Sequence, residues 1–384
     1  MKIGFFVDVF YPMVDGVVNV LNQYATILSQ DHDVYVFAPK PGDKSYQDDF
    51  PYQVIRVLKI QVPSTDYHLA IPTFDAKLNR LLSQIELDIV HIHSPFSMGE
   101  IGVSYAKKYG VPLFATLHSQ YKKDFELRLK LKPITEMMLK DIIRRLNKCD
   151  QTFTVNPSIL DVYMNYGLKQ APEIIPNATE MTYQMGHHHV ESLMKTYHIS
   201  PDVFNMLFVG RIDKIKNISF IVDTIEKLKD IMPIFHMYFV GKGPDEDYFK
   251  SLLKSKKLTS YCTFTGPIYD REKLSAMYEI ADLFVFPSLY DTNSLVQLEA
   301  ASQKTPTIFI KGSATAHHIT NDINGYLVDA NPTLFAEKIH EISIHSDLNQ
   351  LIGEKAYETI YHPWEDSVNK VLKYYKKALE RTYE

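Results

Sequence analysis

Two carboxylates that could bind one ligand, Asp291 and Glu299, lie in the segment 286–306. A short apolar strand comes first, a polar loop then carries Asp291, and an apolar helix that begins near Leu295 carries Glu299. Such a loop lies at the carboxyl end of the predicted sheet, where the first N–H groups of a helix can bind an anion. Carboxylates accept hydrogen bonds from sugar hydroxyls and backbone N–H groups bind phosphate oxygens, so the pattern favours a nucleotide sugar. The same spacing also fits an Asp that caps the helix and a Glu that faces solvent.

Arg211 and Lys216 form a second candidate site for a phosphorylated ligand. They follow a predicted strand, 205–209, and lie five residues apart in the loop that leads to the next helix. Both cations can therefore reach one anion, and the dipole of the following helix adds to their attraction. Taken alone, the string is also compatible with an ordinary basic turn.

Strands and helices alternate along the whole chain, which indicates an α/β protein. The first unit is a strand at 3–9, a loop with Gly16, a helix at 17–28 and a strand at 34–38. Gly16 has no Cβ and can let a backbone N–H approach a phosphate, although a tight turn is the simpler explanation of one glycine. The spacing differs from G-x-G-x-x-G, which argues against a classical NAD site.

Several histidines and one acidic triplet contain residue types that bind metals. Their spacing, however, does not support a metal site. His91 and His93 share one face of a strand, but no third ligand lies nearby, so we interpret them as strand-end residues. The histidines at 187–189 are interpreted as a solvated loop, and the acids at 245–247 as a helix cap after Pro244. No catalytic metal is therefore expected.

The composition indicates two ordinary domains. The chain has 384 residues, of which 45% are hydrophobic and 23% charged, as is typical of soluble globular proteins. A net charge of −5 argues against a general nucleic-acid binder. Cys149 and Cys262 show no motif spacing, which predicts a reducing cytoplasm without disulfides. No apolar run approaches the length of a membrane span, and the chain opens on a strand rather than on a signal peptide.

Several segments, in the right order, resemble the retaining GT-B glycosyltransferases of the GT4 type (glycosyl transferases group 1). They are DGVV at 15–18, HSQY at 118–121, GRIDKIKN at 210–217 and the segment 291–299, in which Asp291 replaces the first Glu of an E-x7-E pattern. HSQY is similar to a segment of the bacterial glucosyl-diacylglycerol synthases. The resemblance covers nearly the whole chain.

The resemblance implies two Rossmann-like domains that face a central cleft. The expected divisions are an N-terminal acceptor domain at 1–178, a C-terminal nucleotide-sugar donor domain at 179–363, and a helix at 364–384 that crosses back to the first domain.

The resemblance also implies individual roles. His118 would lie beside the transferred sugar, Arg211 and Lys216 would bind the departing diphosphate, and Asp291 would bind sugar hydroxyls. Glu299 would bind the ribose. Further donor-binding positions are expected at Gly16, Gly210, Gly243, Ile268, Asn293, Ser294 and Leu295. The nucleotide sugar is a substrate, and no other cofactor and no metal is implied.

The stretch 121–148 is unusually basic, with nine Lys or Arg against four acids. An apolar stripe is predicted at Ile134, Met138, Ile142 and Leu146, while Lys140, Arg144 and Lys148 line another face. Two interpretations remain open: a basic element on an anionic lipid surface, or a core-packing helix with a solvated face. The corresponding stretch of the resembled lipid glucosyltransferases faces the membrane, which implies the first.

The expected function is transfer of a hexose, as glucose from UDP-glucose, to a membrane lipid such as diacylglycerol with retained configuration (EC 2.4.1 type). One alternative is a soluble or polyprenyl-linked glycan as acceptor in cell-envelope polysaccharide synthesis. The other is a weakly active paralogue that binds a partner glycosyltransferase, since the chain departs from the family pattern at Ile215, Asp291, Ser294 and His317. The expected location is cytoplasmic, with peripheral binding to the inner face of a bacterial plasma membrane.

Overall fold

Two separate parallel β-sheets organise the chain in the computed structural model, which describes residues 1–13, 16–43, 45–61, 68–70, 76–118, 121–122, 125, 132–289 and 295–383. The chain divides into two compact units. The first contains Met1–Asn177 together with Trp364–Glu384, and the second contains Ala178–Pro363.

The first unit holds a seven-stranded parallel sheet in the order β3-β2-β1-β6-β7-β8-β9 and a two-stranded antiparallel ribbon of β4 and β5. Its strands are β1 (Lys2–Phe6), β2 (Asp33–Pro39), β3 (Gln53–Val57), β4 (Lys59–Gln61), β5 (His68–Ala70), β6 (Ile89–Ile92), β7 (Leu113–Leu117), β8 (Gln151–Thr154) and β9 (Glu173–Ile174). Its first five helices are α1 (Gly16–Leu28), α2 (Ala76–Gln84), α3 (Ser97–Tyr109), α4 (Lys132–Leu146) and α5 (Pro157–Asn165).

The central strands of this sheet are buried along their whole length. Every residue of β6, β7 and β8 is buried, as expected for parallel strands that helices cover on both faces. Each fully buried Ile, Leu or Phe contributes on the order of 1.5–3 kcal/mol, so the strands cannot shift by one residue without large cost. Helix α3 ends at Gly110, whose left-handed φ of 68° lets its N–H bond the Ala106 carbonyl.

The second unit holds a six-stranded parallel sheet in the order β12-β11-β10-β13-β14-β15. Its strands are β10 (Phe204–Val209), β11 (Phe235–Val240), β12 (Cys262–Gly266), β13 (Leu283–Phe286), β14 (Thr307–Ile310) and β15 (Tyr326–Val328). Its helices are α6 (Val190–Tyr197), α7 (Ile218–Ile231), α8 (Glu246–Ser255), α9 (Arg271–Ile280), α10 (Leu295–Ser302), α11 (Pro332–Ile344) and α12 (Ser346–Thr359).

The last helix, α13 (Trp364–Tyr383), belongs to the first unit, as predicted. It packs on α1, and its Tyr375 is fully buried, with the hydroxyl 2.5 Å from His91 Nδ1. Ser367 Oγ donates to the Pro176 carbonyl at 2.7 Å. In the described part of the chain, none of the helices has the length and hydropathy required to cross a bilayer.

The order of strands reverses between β1 and β6 in the first sheet and between β10 and β13 in the second. Ligands of doubly wound sheets bind outside the carboxyl ends of the strands at such switch points. Candidate residues that bind a ligand are therefore expected at the carboxyl ends of these four strands.

Two local expectations were wrong. The histidines at 187–189 form a short 3-10 helix rather than an irregular loop, because the segment packs on α9. Asp245 occupies the N-cap position of α8, but its carboxylate accepts from the Lys214 N–H at 3.0 Å instead of from the helix. The acid therefore fixes a neighbouring turn.

Candidate active site

The two predicted diphosphate-binding cations lie in a braced loop after β10. Buried Asp213 accepts from Arg211 Nε at 2.5 Å and, with its other oxygen, from the Lys216 backbone N–H at 3.1 Å. The Arg211 side chain is nevertheless 62% exposed, because only one edge of the guanidinium is used. Asp213 thus orients Arg211 and caps the 3-10 turn that carries Lys216, and it leaves guanidinium donors for an anion.

Asn217 joins this loop to the end of β13. It adopts the left-handed conformation at a φ of 59°, and its Nδ2 donates to the Pro287 carbonyl at 3.1 Å. The loop after β10 is therefore fixed to the chain that leads into the predicted site of Asp291, across the switch point of the second sheet. Asp291, Asn293 and Ser294 themselves lie outside the described residues.

Two glycines let neighbouring turns approach closely at this edge. A Cβ on Gly241 would lie 1.9 Å from the Gly210 carbonyl oxygen, and a Cβ on Gly243 would lie 2.1 Å from that of Ile212. The Ile212 N–H also donates to the Lys242 carbonyl at 3.1 Å. Gly243 is thus required for backbone packing beneath Arg211, and its contact with a donor stays a prediction.

Glu299 lies in a buried hydrogen-bond network. Its Oε1 accepts from Arg271 Nη2 at 2.7 Å and its Oε2 accepts from the Tyr278 hydroxyl at 2.8 Å, while Arg271 Nε lies 2.6 Å from Glu180 Oε1. Burial alone would lower the pKa of Arg271, but the Glu299 and Glu180 carboxylates overcome it and raise the pKa above its ordinary value. Burial and the Glu299 charge both raise the pKa of Tyr278. Glu299 is therefore an oriented, buried hydrogen-bond acceptor, which excludes an outward-facing Glu.

Three further residues predicted to bind the donor, Ile268, Leu295 and Gly16, are among the described residues. Leu295 begins α10 and Ile268 follows β12, and both are half-buried against the hydrophobic core of the second unit. Gly16 is exposed at the start of α1, and no atom of the described residues lies within 4 Å of the position of a Cβ. Packing against the described residues would therefore also permit a larger residue there, and the contact of Gly16 with a donor stays a prediction.

His118 is held by a second histidine. His118 Nε2 lies 3.0 Å from His93 Nδ1 at the ends of the adjacent strands β7 and β6. Burial lowers the pKa of His118 to about 4 and that of His93 well below its ordinary value, so both rings are neutral. The His91 ring lies 4.4 Å from the His93 ring at an interplanar angle of 34°, and His91 Nε2 lies 2.8 Å from Thr116 Oγ1. His91 lies near the end of β6 and His93 directly after it, and both rings hydrogen-bond to other side chains.

Asp8, two residues after the end of β1, is a further candidate site residue that was not predicted. Its Oδ1 accepts from Ser97 Oγ and from the Met98 N–H at the start of α3, while no described residue bonds its buried Oδ2. Burial raises the pKa of this carboxyl to about 6. It lines a pocket of about 210 Å³ with Lys40 and Lys59 at its edge. The available signal was its position two residues after a buried strand.

Helix α4 buries Ile142 and Leu146 of the predicted stripe and half-buries Met138, whereas Ile134 is exposed. The buried apolar residues are Leu139, Ile142, Ile143 and Leu146. Packing places the side chains at 139, 142, 143 and 146 against neighbouring elements. The side chain of Ile134 is 41% exposed and that of Met137 is 65% exposed.

The exposed face of α4 combines these two apolar side chains with the predicted cations. Lys140, Arg144 and Lys148 are all exposed, and Arg144 pairs with Asp141 at 2.6 Å. Exposed cations and exposed apolar side chains thus share this part of the surface.

Asp213, Arg271, Tyr278 and Glu180 were also missed as partners of the candidate site. Only Asp213 lies inside a recognisable motif. The other three are separated from Glu299 by 21 to 119 positions in the sequence, so no local spacing indicates them.

Comparison with known proteins identifies the family of this chain. The family model described as Glycosyltransferase Family 4 matches residues 14–182, and that of Glycosyl transferases group 1 matches residues 190–359. The chain therefore belongs to the GT4-type glycosyltransferases with the GT-B fold.

Individual relatives are similar along nearly the whole chain. Alpha-monoglucosyldiacylglycerol synthase of Acholeplasma laidlawii is 27% identical, covering 97% of this chain and 99% of the relative. The protein of the same name from Streptococcus pneumoniae is 25% identical over 93% of this chain and 82% of its own length. Among solved structures, Anabaena HepE in complex with UDP and glucose has a TM-score of 0.77 at 15% identity, covering 97% of this chain and 99% of its own. This last similarity concerns the fold.

Proposed function

We propose that the protein is a retaining glycosyltransferase that moves glucose from UDP-glucose to a membrane lipid with a free hydroxyl, such as diacylglycerol. The observation that carries the donor assignment is the braced pair of cations after β10: Asp213 holds Arg211 and the Lys216 turn at a switch point of the second sheet. A cationic site on rigid backbone suits a diphosphate whose charge increases as it leaves.

The proposed reaction is a front-face displacement. The acceptor hydroxyl oxygen bonds to the anomeric carbon on the face from which the diphosphate oxygen departs, and the hydroxyl proton passes to the leaving diphosphate. Arg211 and Lys216 stabilise the departing charge, Asp291 and Glu299 orient sugar and ribose hydroxyls, and His118 contacts the transferred sugar. In this proposal the predicted N-terminal domain, 1–178, supplies the acceptor site and the predicted domain 179–363 supplies the donor site.

Three observations support a lipid acceptor. The relatives named above are synthases of a glucosylated diacylglycerol. The exposed face of α4 places Met137 among Lys140, Arg144 and Lys148, as an anionic membrane surface requires. The pocket beside Asp8 provides a buried oxygen that can accept a bond from an acceptor hydroxyl.

The experiment measures transfer from UDP-glucose, UDP-galactose and GDP-mannose, with and without anionic liposomes that contain diacylglycerol. Wild type is compared with Lys216→Ala and with a matched control, Lys227→Ala, an exposed cation on α7. We expect liposome-stimulated glucose transfer that only Lys216→Ala abolishes.

The outcomes separate the alternatives. Turnover with a soluble glycan but not with liposomes would retain the donor site and discard the lipid acceptor. No turnover together with no nucleotide binding would favour the weakly active paralogue.

A further inference from the structure

We propose that His188, His189 and Glu272 bind a divalent transition-metal cation of the zinc type on the surface of the second unit. Their ligating atoms all lie within 4.8 Å of one another. Glu272 Oε2 lies 3.3 Å from His188 Nε2 and 3.7 Å from His189 Nε2, and the two imidazole rings are 4.0 Å apart. Both imidazoles therefore direct the same nitrogen toward one carboxylate oxygen.

These distances suit a tetrahedral ion. Zn–N and Zn–O bonds of about 2.0–2.2 Å place neighbouring ligands of a tetrahedron roughly 3.4 Å apart. The two measured separations lie within a few tenths of an ångström of that value, so small side-chain rotations complete the geometry. Two imidazoles and a carboxylate are the ligand set that Zn²⁺ accepts, and the fourth position would take water.

The backbone beneath the three side chains is fixed on both sides. A Cβ on Gly186 would lie 1.8 Å from the Glu272 carbonyl oxygen, so the 187–189 helix can approach α9 only because residue 186 is glycine. The His189 N–H donates to the Gly186 carbonyl at 2.8 Å. On the other side, Asp270 caps α9 by accepting from the Glu272 N–H at 3.0 Å. The ligands are thus preorganised before an ion arrives.

The neighbouring His187 does not belong to the set. Its Nδ1 lies 2.5 Å from Glu279 Oε1, about two turns along α9 from Glu272. This pair adds a second attachment of the short helix to α9 and provides a matched control. The inference does not depend on the transferase activity, because none of these residues has a role in the proposed reaction.

The test uses the full chain, purified without a polyhistidine tag and stripped with a chelator. Binding of Zn²⁺ is measured by isothermal titration, and binding of Co²⁺ by its visible absorption band. Wild type and His187→Asn should each bind one equivalent. Loss of a residue that hydrogen-bonds to a metal ligand costs roughly 10–100-fold in metal affinity. His189→Asn and Glu272→Gln each remove a ligand itself, so the affinity for Zn²⁺ should fall by more than that.

A second measurement protects against a variant that folds poorly. His188 is 62% exposed, so His188→Asn removes a ligand without disturbing packing, and circular dichroism checks each variant. Zn²⁺ should raise the thermal unfolding midpoint of wild type and His187→Asn but not of the ligand variants. Absence of saturable binding in the wild type, or unchanged affinity in both Glu272→Gln and His188→Asn, would overturn the proposal.

Discussion

His93 Nδ1 lies 3.0 Å from His118 Nε2, and this bond decides which nitrogen of His118 is left for a ligand. No described residue bonds the buried His93 Nε2. A buried N–H without a partner is rarer than a buried acceptor without one, so the proton belongs on His93 Nδ1, which donates to His118 Nε2. His118 then carries its own proton on Nδ1, the atom available to an oxygen of the sugar.

Replacing His93 should therefore change His118. In His93→Phe, His118 loses the donor that fixes its tautomer, and kcat should fall by roughly 10–100-fold with little change in fold. Nitrogen NMR shifts of the His118 ring report the tautomer directly. His93→Asn can still donate and should recover part of the activity. An unchanged His118 spectrum in His93→Phe would contradict this relationship.

Replacing Asp213 should reduce transferase activity, although its proposed role is to position Arg211 and Lys216 rather than to contact the substrate. Asp213→Ala removes the brace on Arg211 and the cap of the Lys216 turn, and hydrogen bonds to a charged group are worth about 1.5–3 kcal/mol. We expect kcat/KM to fall by roughly 10–100-fold. Asp245→Ala is the control, since that carboxylate caps the neighbouring Lys214 N–H. Equal losses in both variants would indicate general weakening of the loop.

Arg271 should influence donor affinity through Glu299. Arg271→Gln leaves Glu299 with only Tyr278, so we expect KM for the nucleotide sugar to rise with little change in kcat, as happens when uniform binding is lost. Glu180→Gln removes the other partner of Arg271 and leaves its bond to Glu299 intact. A similar KM increase in both variants would argue that the network is purely structural.

Asp8 should make the first unit less stable as the pH rises. Burial raises its pKa from an ordinary 3.8 to about 6, so the folded state holds its proton more tightly than the unfolded state. The stability that this proton contributes is complete below pH 3.8 and is lost as the pH rises through 6, by about 3 kcal/mol in total.

Asp8→Asn tests this dependence. The difference in free energy of unfolding between variant and wild type should shift in favour of the variant between pH 4 and pH 7. Chemical denaturation at several pH values measures it, and the contributions of the buried histidines cancel in the difference. A difference independent of pH would show that Asp8 is ionised at all of these values.

The exposed face of α4 should control membrane binding. Met137→Ser combined with Lys140→Glu and Lys148→Glu should weaken sedimentation with anionic liposomes, since each surface cation contributes about 1 kcal/mol. Lys227→Glu with Lys254→Glu changes the same charge on exposed cations of the second unit. Equal loss in both variants would mean that net charge, rather than this face, governs binding.

The sequence by itself determined the two α/β domains, the succession of strands and helices along the chain, and the loop that carries Arg211 and Lys216. These features depend on local signals: apolar runs give the strands, and the helix predicted at 364–384 begins at the same residue as α13, Trp364–Tyr383, because Pro363 marks its start. Arg211 and Lys216 could be identified because both lie within one short loop, where spacing fixes proximity.

Only the tertiary structure decided the partners of these residues. The bonds of His93 with His118, Arg271 with Glu299, and Glu272 with the histidines at 188 and 189 join positions 25 to 84 residues apart. Such pairs arise where parallel strands end side by side or where a glycine permits two backbones to touch. The face of α4 that is buried was likewise set by its neighbours, because a helix with apolar residues on more than one side has no preferred orientation until it packs.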